Sequence, residues 1–120
     1  MARFLALYMG SPDTPAQLAW ERLSATERTG RTRQAMAAWG TWVQHHQSAI
    51  RDLGGPLGKT LLVSGDGIVP TSNALAGYVI VEAGSHREAA ALFENHPHFS
   101  IFPGSGVEIL ECLTVPEGPL

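Results

Sequence analysis

The sequence predicts an α+β fold of the ferredoxin-like type, with an antiparallel sheet covered by helices on one face. Short apolar segments alternate with helical stretches in the order β, short α, long α, β, β, α, β, which matches the split β-α-β pattern. Helix-capping residues stand before the helical stretches, and 120 residues leave room for one core. Residues 1–120 are therefore read as a single domain. A composition of 44% hydrophobic and 16% charged residues is sufficient to fill that core, so disorder is excluded as a class.

Arg3 to Met9 is apolar, ends at Gly10-Ser11-Pro12 and is too short for a stable helix, so it is read as a strand. Phe4, Ala6 and Tyr8 would point to one face and Leu5, Leu7 and Met9 to the other. Thr14-Pro15 with Gln17 is a cap followed by proline at the first helical position, predicting a short helix from Pro15 to about Leu23. Ser24 and Glu27 repeat the capping pattern. Gly30 then reads as an interruption, and the long helix is expected from near Thr32, with Met36, Trp39, Val43, His46, Ile50 and Leu53 as its apolar stripe. Gly54-Gly55-Pro56 is its expected stop.

Lys59 to Ser64 is rich in β-formers and is read as the second strand, closed by Gly65-Asp66-Gly67. Ile68 to Ala76, with Pro70, Ser72 and Asn73, reads as a connecting loop, and Gly77 to Ala83 as the third strand. Ser85 to Glu88 forms a capping box for a helix through Ala89, Leu92 and Phe93 that ends before Pro97. Val107 to Val115 alternates as the last strand, and Pro116 to Pro119 is a tail.

Apolar residues occupy both sides of the predicted strands, among them Tyr8, Tyr78, Ile80, Val81, Ile109, Leu110 and Leu113. One layer of helices covers one side only. The open side is an association surface, and a two-fold homodimer with sheets face to face is the simplest closed solution. It would enclose a barrel-like interior.

The charge balance argues against several partners. Eight basic and eleven acidic side chains give a net charge of −3, and no segment collects Lys and Arg, so nucleic acid is not an expected partner. The longest apolar run, Phe4 to Met9, is far short of a membrane span or a signal-peptide core. A single cysteine, Cys112, can form no internal disulfide and no multi-thiolate zinc site. Together these readings place the chain in the cytoplasm, with no membrane partner. Leu53 to Thr60 superficially resembles a phosphate-binding loop, but Leu53 stands where the first glycine is required and the order of elements is reversed.

Five histidines carry the remaining chemical signal: His45, His46, His86, His96 and His98. His96-Pro97-His98 lies in the turn before the last strand, where proline stiffens the backbone and can hold an imidazole for proton transfer. The competing reading is a polar turn with one ring in solvent and one packed on Phe93 or Phe99. His46 lies on the apolar stripe, either as a hydrogen-bonded core residue or as a catalyst, and His45 is turned roughly 100° away. Trp39 and Trp42 share one side of the long helix with Tyr78 as a neighbour from the sheet, as core or as walls of a ligand pocket. Asp66 is a turn former or a partner that orients a histidine. The residues singled out for chemistry are His98, His96, His46 and Asp66; those for ligand contact are Trp39, Trp42, Tyr78 and His45. No metal set is recognised.

Met36 to Trp42, Ser64 to Gly67, Gly77 to Ala83 and Gly104 to Ile109 together give the chain a pattern that resembles the YCII-related, or DGPF-domain, family of the dimeric α+β barrel superfamily. The resemblance covers most of the chain. It implies a dimeric α+β barrel with a pocket between each sheet and its covering elements. It also implies a small-molecule-binding protein whose catalytic form is a cofactor-free lyase, isomerase or dehydrohalogenase-type enzyme acting on a small cyclic or aromatic substrate through histidine acid–base chemistry. The alternative is a non-catalytic dimeric ligand-binding or accessory interaction module. Some members pair a histidine of the long helix with an aspartate just before the turn proline. Here the pre-proline residue is His96, and the helix offers His45 or His46.

Overall fold

The computed structural model describes residues 1–116. Its geometry follows from the alternation of the first strand, β1 (Ala2–Met9), which buries Phe4, Ala6 and Tyr8 on one face and leaves Leu5, Leu7 and Met9 half-buried on the other. The elements that follow are α1 (Pro15–Glu21), α2 (Ala25–His45), β2 (Ile50–Pro56), β3 (Thr60–Ser64), β4 (Gly67–Thr71), β5 (Leu75–Ala83), α3 (His86–Ala91), α4 (Pro97–Ser100) and β6 (Gly106–Glu111). Four strands form one sheet in the order β2-β5-β1-β6, every neighbouring pair antiparallel. That is the ferredoxin-like arrangement the sequence predicts.

The register sets Phe4 opposite Val81 and Ala6 opposite Val79, so β1 and β5 contribute their buried residues to the same face. Trp42 of α2, Ala89 of α3 and Phe93 complete the core on that face. The opposite face pairs Leu5 with Ile80 and Leu110 and Leu7 with Tyr78, and those side chains remain only half-buried or exposed. This asymmetry is the expected one.

Several boundaries differ from the sequence expectation. Gly30 does not interrupt α2. Ser24 and Glu27 form a reciprocal capping box, and the helix runs on through Gly30, because a mid-helix glycine costs only about 1 kcal/mol relative to alanine. The helix also stops at His45, with His46 as its C-cap, eight residues before the predicted stop. Ile50 and Leu53 continue the helical period, yet they belong to β2, which pairs along the free edge of β5 and satisfies its main-chain groups. Lys59 to Ser64 is consequently not the second strand of the sheet. Thr60–Ser64 pairs instead with Gly67–Thr71, part of the segment expected to be a loop, as a separate two-stranded hairpin.

Three smaller corrections concern the C-terminal half. The helix expected to run through Phe93 and end before Pro97 stops at Ala91, with Leu92 as its C-cap. The His96-Pro97-His98 turn is a single helical turn, α4, with Pro97 at its first position. The last strand ends at Glu111 rather than Val115. Of the tail expected over Pro116 to Pro119, only Pro116 lies among the described residues.

Two glycines give this description a direct test. Gly54 has φ +63°, and a Cβ there would sit 2.0 Å from the Tyr78 carbonyl oxygen across the β2–β5 pair. Gly54→Ala is expected to destabilise the protein by about 2 kcal/mol or more in urea titration. Gly30 has open space around it, so Gly30→Ala is expected to stabilise by about 0.5–1 kcal/mol. A destabilising Gly30→Ala would argue against an unbroken α2.

Candidate functional site

The site grows from Tyr8. The alternation of β1 turns this side chain toward the helices, at the end of the strand that meets α4. Gly77 lies opposite it on β5, and a Cβ there would approach the Tyr8 ring to 3.3 Å, so the glycine makes room for the phenol. From α2, Trp39 packs its ring against Tyr8 at 4.9 Å between centroids. Trp42, one turn further, donates its indole N–H to the Leu92 carbonyl at 2.7 Å and is thereby fixed between α2 and the end of α3.

His96 and His98 flank α4 and close the cluster. His96 is completely buried (0% exposed) and caps the short helix: its Nδ1 accepts the main-chain N–H of His98 at 3.0 Å. Asn95 makes the entry turn possible by taking a left-handed conformation, φ 57°, which asparagine tolerates. A main-chain N–H can only donate, so the neutral imidazole of His96 carries its proton on Nε2. That Nε2–H points to the Tyr8 hydroxyl oxygen at 3.4 Å. The phenolic proton of Tyr8 is thus not consumed by His96.

The same reasoning assigns His98. Its Nε2 donates to the Met9 carbonyl at 2.7 Å, which leaves Nδ1 as the unprotonated nitrogen. Among the described residues Nδ1 has no hydrogen-bond partner, and no polar side-chain atom is sealed from solvent without one. Gly104 packs against this ring so closely that a Cβ would fall 2.2 Å from Nε2. The imidazole is therefore clamped between a glycine and a carbonyl.

Burial dominates the electrostatics of the cluster. It lowers the His96 pKa to about 4, with smaller contributions from His98 and His46. Burial also lowers that of His98, opposed in part by the bond to Met9. The Tyr8 phenol is pushed well above its ordinary range by burial. At neutral pH the cluster accordingly holds two neutral imidazoles and a protonated phenol.

Tyr8, Trp39, Trp42 and His98 form one wall of a cavity of about 410 Å³. The β2–β5 pair forms the other through Gly54, Gly55, Pro56 and the chain around Gly77. Met36 and Leu53, 58% and 57% exposed, stand on its lining as well. Tyr78 borders the cavity, though strand alternation sends its side chain toward the face opposite Gly77 and Val79. Among the described residues no Lys, Arg, Asp or Glu lines this space.

The structure thus brings together His96, His98, Trp39 and Trp42, and adds Tyr78 at the border. It does not bring in the other three residues singled out from the sequence. His46 is the C-cap of α2, packs on Trp42 with ring centroids 5.2 Å apart and is not on the cavity lining. Burial and the neighbouring His45 lower its pKa. His45 is exposed, and Asp66 is exposed in the turn between β3 and β4, where its N–H donates to Ser64 Oγ. Sequence reasoning counted Tyr8 only among the apolar residues of the sheet faces. The available signal was its phenol on the helix-facing side of β1, since a buried tyrosine hydroxyl requires a polar neighbour.

No family model matches the chain, and no curated protein matches it. Among solved structures, it is similar to a 5-chloro-2-hydroxyhydroquinone dehydrochlorinase from Burkholderia phenoliruptrix AC1100, determined in complex with 2,5-dihydroxybenzoquinone, at 19% identity over 89% of each chain and a TM-score of 0.49. At that level nothing of its chemistry is transferred to this chain.

Two measurements test the site's construction. The unfolded chain titrates His96 near 6.5 and the folded one near 4, so the unfolded state binds more protons in between. The stability contributed by neutral His96 is therefore complete above pH 6.5 and is lost as pH falls toward 4, on the order of 3 kcal/mol in all. His96→Asn keeps a capping acceptor and removes the titration; it is expected to flatten stability against pH in that window. Gly104→Ala is expected to displace the His98 ring, seen as a shift of its imidazole NMR signals. Unchanged His98 signals would show that the ring is not clamped as described.

Proposed function

We propose that this protein binds a small, uncharged cyclic or aromatic molecule and catalyses a cofactor-free lyase- or isomerase-type reaction with His98 as general base. The observation that carries the proposal is the free Nδ1 of a neutral, orientationally fixed His98 beside a protonated phenol, both on the wall of an apolar cavity. A pocket without charged lining favours an uncharged ligand, and two tryptophans favour a flat one.

In the reaction, Nδ1 of His98 takes a proton from a substrate carbon adjacent to a carbonyl. The electron pair moves into the enolate, and the hydroxyl of Tyr8 donates a hydrogen bond to its oxygen. Return of the proton to another carbon completes an isomerisation; in an elimination the enolate pair forms a new C=C bond as the adjacent bond to the leaving group breaks and that group departs with its bonding pair. His96 does not touch the substrate in this scheme. It positions Tyr8 and caps the turn that carries His98.

The resemblance to YCII-like proteins supports the same reading, as does the convergence of two buried histidines with lowered pKa values. The second subunit of the proposed functional unit is another copy of this chain, packed on the sheet face that no helix covers. Leu5, Leu7, Tyr78, Ile80 and Leu110 are the apolar side chains available for that contact. A cytoplasmic location accords with the single free cysteine.

The test is turnover of a panel of enolisable cyclic ketones and phenols. His98→Ala is expected to lower kcat by about 10²–10⁴ while ligand affinity changes little, and Tyr8→Phe by a smaller factor. Activity should need neutral His98, so the acid limb of the pH–rate profile is expected below the ordinary value of 6.5 and should disappear in His98→Ala. Full turnover by His98→Ala would remove the assignment. Binding without turnover across the panel, unchanged by either variant, would favour the non-catalytic ligand-binding module.

A further inference from the structure

The hairpin of β3 and β4 has no role in the site, and it violates the ordinary relation between apolar surface and burial. Its register pairs Leu61 with Pro70 and Val63 with Ile68, which makes one face of the ribbon wholly apolar. Leu61, Val63 and Ile68 are 65%, 71% and 66% exposed, and Leu62 and Val69 on the other face are 48% and 44% exposed. A two-stranded ribbon is at best marginal in water unless it packs on something. The hairpin also carries only Lys59 near its base and Asp66 at its turn, so a charged partner has nothing to engage.

The ribbon does not fold back onto its own cavity. It prolongs the β2–β5 pair outward: Leu57 N–H donates to the Ala76 carbonyl at 3.0 Å, Asn73 Nδ2 donates to Thr60 Oγ1 at 3.4 Å, and Leu75 N–H donates to Asn73 Oδ1 at 2.9 Å. These bonds brace the base as a continuation of the sheet edge rather than a hinge. The radius of gyration, 16.7 Å, exceeds the roughly 14 Å of a compact domain of this length. Leu61, Val63, Ile68 and Pro70 share the one ribbon face that a single contact would cover. A stable interface needs about 800 Å² per partner. The four side chains on one face of the ribbon cannot supply that area alone, so a contact made by the arm has to include the adjoining sheet face as well.

We propose that the β3–β4 hairpin is an exchange arm: each copy lays its Leu61/Val63/Ile68/Pro70 face on a second copy of the chain, as an extension of the sheet-to-sheet interface. This rests on the dimer reading above. The two-fold relation makes the contact reciprocal, so the Leu61/Val63/Ile68/Pro70 faces of both arms are covered by one operation.

Sedimentation equilibrium of wild type and of Val63→Lys/Ile68→Glu tests it. The paired opposite charges keep the cross-strand contact while removing the apolar face, and neither residue supports the protomer core, so circular dichroism and Tm of the isolated protomer should match wild type. The dimer Kd is expected to rise by about tenfold or more, and amides of Leu61–Val69 should exchange more slowly well above the Kd than well below it. A wild-type dimer with an unchanged Kd in the variant and concentration-independent arm exchange would overturn the arm while leaving the dimer standing. That result would mean the arm serves a different partner. A wild-type protein monomeric at micromolar concentration would overturn both.

Discussion

The hydrogen bond from the His98 main-chain N–H to Nδ1 of His96 organises the end of this molecule where Tyr8 and the two histidines meet. It caps the single-turn helix α4, and because it occupies Nδ1 it forces the proton of His96 onto Nε2, facing Tyr8. The helix so capped presents His98 to the Met9 carbonyl, which fixes the second imidazole in turn. One local bond therefore sets two tautomers and the orientation of three polar groups. Burial then keeps both rings neutral, since charging either would require stripping solvent from a cation.

Glycines determine how closely the main chain can approach these groups. Gly77 admits the ring of Tyr8 against β5, Gly54 brings β2 onto the Tyr78 carbonyl, and Gly104 lies flat against His98. The cavity is consequently walled by main chain on one side and by aromatic side chains on the other. Such a lining offers shape and a flat apolar surface, with Tyr8, Tyr78 and His98 as its titratable side chains. That division is the one expected of a site that binds through contact area and orients through a few polar groups.

The rest of the molecule is shaped by a shortage of cover. Helices protect one face of a four-stranded sheet, whereas the aliphatic side chains of the other face are half-buried or exposed and those of the β3–β4 arm are exposed. The arm is an insertion on the β2–β5 connection, at the sheet edge next to the cavity.

The alternation of Phe4, Ala6 and Tyr8, the capping signals at Thr14, Ser24 and Ser85, and the strand at Gly77 to Ala83 are local patterns, and the sequence by itself determined the ferredoxin-like order from them. The aromatic helix and the His-Pro-His turn were legible for the same reason, since residue spacing places Trp39 and Trp42 on one side and proline stiffens its neighbours. Tertiary structure decided what depends on a distant partner. Ile50 and Leu53 fit a helix equally well until the edge of β5 claims them, and Thr60 to Ser64 reads as a sheet strand until Gly67 to Thr71 pairs with it. Only the folded chain brings Tyr8 to two histidines 88 and 90 residues away, and leaves Asp66 and His45 outside. A one-dimensional pattern records which face a residue prefers; proton location and proximity arise from contacts between elements, which no local pattern contains.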